Sequence, residues 1–135
     1  MKQLNFNEIT NKILDKCDVL AIIIYGSFSR NTQTNDSDID IAIIDKNITK
    51  NELFELKKDL EILTYRDVDL VNLEDIDISE SLRYEILMNG NLLYCKDEFE
   101  YEMYKIEKLK EFLDFNESRK DIIDRIKNGG TIYGE

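Results

Sequence analysis

Apolar positions change their period several times along this chain, and each change marks an element. Phe6, Ile9, Ile13 and Cys17 recur at helical spacing, which predicts an amphipathic helix from Phe6 to Lys16 capped by Asn5 or Asn7. Val19 to Tyr25 is a continuous Ile-rich run, the pattern of a central strand covered on both faces. Gly26 allows a sharp turn, Ser27 to Arg30 starts a short helix, and polar Asn31 to Asp36 reads as a loop. From Asp38 to Ile44 the pattern becomes alternating, so Asp38 and Asp40 share one strand face while Ile39, Ile41 and Ile43 point into a core. Asp45 to Asn47 ends that strand. Leu53, Leu56, Leu60 and Leu63 then stripe a helix from Thr49 to Leu63, with Thr49 and Glu52 spaced as a capping box.

Val68 to Leu73 reads as a third strand, with Asp69 and Val71 on one face and Val68 and Leu70 on the other. Ser79 to Met88 reads as a helix closed by a left-handed cap at Asn89-Gly90, and Asn91 to Tyr94 as a short strand. Glu98 to Ile126 is a long helical stretch with a candidate break near Asp114 to Ser118, and the tail from Asn128 to Glu135 reads as frayed. No repeat or linker interrupts this order, so residues 1–135 are expected to form a single domain. Alternating helices and strands imply an α/β (α+β) domain built on a short mixed β-sheet with flanking helices and a long C-terminal helical segment.

The paired acids bring in chemistry. Two carboxylates held side by side on a strand repel unless a cation lies between them, and oxygen donors of this kind suit Mg²⁺ or Mn²⁺. The Gly26-Ser27 turn supplies backbone N–H groups and a hydroxyl at a helix start, a natural phosphate cradle. Metal-binding acids beside a phosphate cradle suggest a nucleotide. The same Gly-Ser pair would equally make an ordinary capped turn, and Asp-x-Asp alone would fit a solvated strand face. Arg30 could pair with phosphate oxygens or balance nearby acids on the surface.

Composition narrows the field. There is no His, which removes Ser-His-Asp and Cys-His catalysis and the usual zinc sites, so a general base must be a carboxylate, Lys, Tyr or a metal-bound hydroxide. There is no Pro, so turns rely on Gly, Asn and Asp. The hydrophobic fraction of 42% and charged fraction of 35% are ordinary for a globular protein. A net charge of −11 argues against direct nucleic-acid binding but not against a single nucleotide, and it favours a basic protein partner. No apolar run has membrane-spanning length and Met1 to Asn5 carries no signal-peptide core, so no membrane association is expected. Cys17 and Cys95 read as buried, reduced thiols, which points to the cytoplasm.

Gly26-Ser27, ten intervening residues, then Asp38-Ile39-Asp40 resembles the signature of the nucleotidyltransferase superfamily related to DNA polymerase β. The wording Gly26-Ser27-Phe28-Ser29-Arg30 and the short chain resemble its minimal nucleotidyltransferase (MNT) branch, which includes the MntA-type antitoxins paired with HEPN-domain toxins. Asp67-Val68-Asp69-Leu70-Val71 is similar to the family's third-acid strand, and Leu82 to Gly90 followed by Leu92-Leu93-Tyr94 is similar to the element after it. Where the family usually has Gly, this chain has Asn31, which tolerates a left-handed backbone better than most residues. The resemblance implies the nucleotidyltransferase fold, with two Mg²⁺ ions (Mn²⁺ as a substitute) at Asp38, Asp40 and Asp69. It also implies ATP phosphates at Gly26, Ser27 and Arg30, and favours Asp69 over its neighbour Asp67 as the acid that helps deprotonate the acceptor. It implies an antitoxin that transfers AMP from ATP to a Tyr of its HEPN ribonuclease toxin, silencing it within a hetero-oligomer. Two other readings stay open: a steric binding module with vestigial catalysis, and a nucleotidyltransferase acting on a small-molecule hydroxyl.

Overall fold

The computed structural model describes the backbone of residues 5–26 and 38–127, and the side chains of these as far as residue 114. The elements run α1 (Phe6–Lys16), β1 (Ala21–Tyr25), β2 (Ile39–Ile44), α2 (Lys50–Thr64), β3 (Val68–Asn72), α3 (Glu80–Asn89), β4 (Asn91–Cys95) and α4 (Glu98–Lys127). The expected short helix over 27–30 and loop over 31–36 lie outside the described residues, as does the tail from residue 128.

The strands form a sheet of order β3-β2-β1-β4. β1 pairs antiparallel with β2 and β4, whereas β2 and β3 are parallel, so the sheet is mixed as the sequence predicts. Period-two alternation sends the sheet's side chains into two cores. Ile22 and Ile24 of β1, Ile39, Ile41 and Ile43 of β2, and Val68 and Leu70 of β3 pack against Ile9 and Ile13 of α1 and Leu56 and Leu60 of α2. On the other face Ala21, Ile23 and Tyr25 of β1 with Ala42 and Ile44 of β2 pack against Ile86 and Leu87 of α3 and Tyr101 and Tyr104 of α4. All five residues of β1 are therefore buried, which is why its sequence is apolar without interruption.

Local signals account for the element ends. Asn5 caps α1, its Oδ1 accepting from Asn7 N at 2.9 Å and Glu8 N at 3.3 Å. The capping box on α2 closes in both directions: Glu52 N donates to Thr49 Oγ1 at 3.1 Å and Thr49 N to Glu52 Oε1 at 2.9 Å. Asn72 ties the ends of β2 and β3 together, Nδ2 donating to Asp45 O at 2.7 Å and Oδ1 accepting from Asp45 N at 3.2 Å. Buried Arg83 donates from Nε to Leu73 O at 3.1 Å, which fastens α3 to the end of β3.

Three expectations need correction. Gly90 is not a left-handed cap: at φ −76° and ψ 162° it is extended and leads straight into β4. Its glycine answers to crowding, because a Cβ there would press on the Ile23 side chain and the Ile86 carbonyl. The left-handed helix end is instead Tyr65, at φ 57°, closing α2. The candidate break near Asp114 to Ser118 does not occur, and α4 runs unbroken from Glu98 to Lys127. The thiols are only half-buried, although both are free.

Candidate functional site

β1 ends where β2 begins because the two are antiparallel, and β3 begins beside β2 because they are parallel. Three strand ends therefore meet at one end of the sheet. In register, Tyr25 of β1 lies opposite Asp40 of β2, and Asp40 lies opposite Asp69 of β3. Alternation puts all three side chains on the face that carries α3 and α4 further along the strands. Asp40 and Asp69, which the resemblance names together, thus form a direct cross-strand pair.

The acids differ in setting. Asp40 is half-buried, whereas Asp69 and Asp38 are exposed, Asp38 standing one residue before β2. Asp67 is exposed ahead of β3, and its backbone carbonyl accepts from Ile39 N at 2.9 Å, so its main chain extends the ladder. Among the described residues, no group of three or more carboxylates or thiols closes into a metal cage. The donors are nevertheless all carboxylate oxygens, and Asp40 and Asp69 sit as adjacent cross-strand neighbours, a donor set that fits a hard divalent cation.

Gly26 follows β1 directly with φ +72°, a backbone conformation that glycine adopts without cost. A Cβ at this position would overlap the Asp40 carboxylate. The sequence reading reserved the bare backbone at Gly26 for phosphate; the structure adds that Asp40 needs the same space. Ser27, Arg30 and Asn31 lie outside the described residues.

Tyr25 is the residue that sequence reasoning missed. Its ring shares a face with Asp40 and Asp69, and its pKa is pushed up by burial first, then by the Asp69 and Asp40 charges. The signal was available in principle: Tyr25 ends the apolar run at the parity of Ala21 and Ile23, which is the parity of Asp40 once the strands pair. Tyr101 and Tyr104 are buried in the α3–α4 core, and Phe112 stacks on Tyr84 at 4.3 Å.

With the geometry in place, the comparisons define the class. The polymerase beta nucleotidyltransferase family model matches residues 7–99, and the chain belongs to that family. It is 30% identical over 128 residues to the protein adenylyltransferase MntA of Shewanella oneidensis, covering 93% of this chain and 90% of that one. Among solved structures, a chain of a toxin–antitoxin complex with AMP-PNP is similar at 28% identity and a TM-score of 0.79, covering 92% of this chain and 99% of that one. A complex of tri-AMPylated Shewanella oneidensis HEPN toxin with MNT antitoxin is similar at 26% identity and a TM-score of 0.73, covering 94% and 99%. The architecture is the nucleotidyltransferase fold. Among the described residues, no helix is long and apolar enough to cross a membrane.

Proposed function

We propose that this nucleotidyltransferase is an antitoxin that transfers AMP from ATP to a tyrosine hydroxyl of a cognate HEPN ribonuclease toxin, silencing it and remaining bound to it. The observation that carries the reading is the cross-strand placement of Asp40 against Asp69 at the strand ends, with Gly26 packed on Asp40, in a chain of this family. The toxin partner and AMP transfer to it are inferred from the similar MNT–HEPN complex, whose toxin carries AMP; the tyrosine acceptor is what the family resemblance implies.

Asp38, Asp40 and Asp69 would hold divalent metal, Mg²⁺ as two ions with Mn²⁺ able to substitute. When bound, the metal supplies charge neutralisation on the triphosphate and on the attacking and leaving oxygens. The chain's own residues do the rest. Gly26 and Ser27 offer backbone and hydroxyl donors to the β- and γ-phosphates, and Arg30 pairs with them as a planar fork. The acceptor hydroxyl oxygen attacks the α-phosphorus while its proton passes to the Asp69 carboxylate. The bond from the α-phosphorus to the α–β bridging oxygen breaks, and pyrophosphate leaves. Positioning and electrostatics carry most of the rate.

The test is the intact mass of a HEPN-type protein from the same genome after incubation with this chain, ATP and Mg²⁺, beside the Asp38→Asn/Asp40→Asn variant. Increments of one or more AMP with the wild type alone are expected. A stable complex without any increment would leave a steric antitoxin. Neither increment nor complex would redirect the search to a small-molecule acceptor.

A further inference from the structure

Asp69 is exposed, so packing does not hold its carboxylate in one orientation. Tyr25 is the opposite case: its ring is fixed in the α3–α4 core with Ile23, Ala42 and Ile44. β2 lies between β1 and β3, which puts Tyr25 and Asp69 two strand spacings apart, roughly 10 Å. Ser or Thr could not span that gap, and Phe could span it but not donate. Tyrosine can do both, its phenol long enough to pass the Asp40 row toward Asp69.

We propose that Tyr25 is a positioning residue for the third carboxylate: its hydroxyl donates to one Asp69 oxygen and leaves the other turned toward Asp40. A carboxylate has four lone-pair sites, so one oxygen can accept from the phenol while its partner remains a donor to metal. The rigid ring thereby transmits the order of the core to an acid that would otherwise sample several rotamers. Held in this way, Asp40 and Asp69 present a prearranged pair, and less ordering is left to the moment when metal and nucleotide enter. This inference rests on the proposed role of Asp69.

Tyr25→Phe removes the donor and keeps the ring. Two readouts separate positioning from mere packing: Mn²⁺ affinity by electron paramagnetic resonance in the presence of α,β-methylene ATP, and the Mg²⁺ concentration that half-saturates AMP transfer. Both are expected to weaken about ten-fold, the scale of one hydrogen bond to a charged group, while the KM for ATP at saturating Mg²⁺ stays close to wild type. High Mg²⁺ should restore most of the rate. Tyr25→Leu, which also lacks the donor, replaces the Phe variant should that one fail to fold. Wild-type metal dependence in a folded Tyr25 variant, alongside an inactive Asp69→Asn, overturns the inference and leaves the proposed function standing. Full activity and metal affinity in Asp69→Asn would overturn both.

Discussion

At the scale of the residue, Gly26 shows how narrowly the site is specified. Two conditions meet there, a positive φ and an absent Cβ against the Asp40 carboxylate. Gly26→Ala is expected to cost about 1–2 kcal/mol in stability, because alanine must adopt a left-handed backbone and displace Asp40 as well. Transfer should fall further than stability does, since the displaced group is the cleft carboxylate. Urea unfolding and transfer rates on the same sample check this, and equal loss in both would locate the effect in the fold alone. The sequence showed that Gly26 and Asp40 matter, through their types and spacing. It did not show that they touch, nor that Tyr25 shares one row and one face with Asp40 and Asp69, because those placements depend on the pairing of three strands distant in sequence.

At the scale of the element, periodicity carried the reading well. The α1 bounds follow from the spacing of Ile9 and Ile13, and the α2 start follows from Thr49 and Glu52. Thr49→Ala removes the side-chain half of that box and should cost about 1 kcal/mol by denaturant unfolding. AMP transfer should be unchanged, because Thr49 lies past the far end of β2 from Asp40. The misread ends have physical reasons. Asn89-Gly90 has the composition of a left-handed cap, but β4 starts at once and Ile23 presses on the glycine, so crowding sets its conformation. Asp114, Phe115, Asn116 and Ser118 are mediocre helix formers, yet each costs only a few tenths of a kcal/mol, and without Gly or Pro nothing there stops α4.

At the scale of the whole molecule, the buried groups that resist ionisation set how the fold responds to pH. Burial, with help from Asp45 and Glu52, pushes the Cys17 thiol from 9.0 up to about 11. Burial likewise pushes the Tyr101 phenol from 10.0 to about 12. In both cases the folded pKa exceeds the unfolded one, so the folded state favours the proton. The stability this confers is fully present below pH 9 and is lost as pH rises toward 12. The urea midpoint is therefore expected to fall between pH 9 and pH 11, and a flat profile across that window would contradict the account. The raised Cys17 pKa also explains why this half-buried thiol should react slowly at neutral pH.

The central claim is the reaction type: a nucleotidyl transfer, not a phosphoryl transfer, run at the end of a mixed sheet where Asp40 meets Asp69. Parallel incubations of the HEPN-type acceptor with this chain, Mg²⁺ and ATP labelled in either the α- or the γ-phosphate test it most directly. The account predicts label on the acceptor from the α-phosphate, none from the γ-phosphate, and loss of the signal in the Asp38→Asn/Asp40→Asn variant. Label arriving from the γ-phosphate, or α-label persisting in that variant, would contradict it.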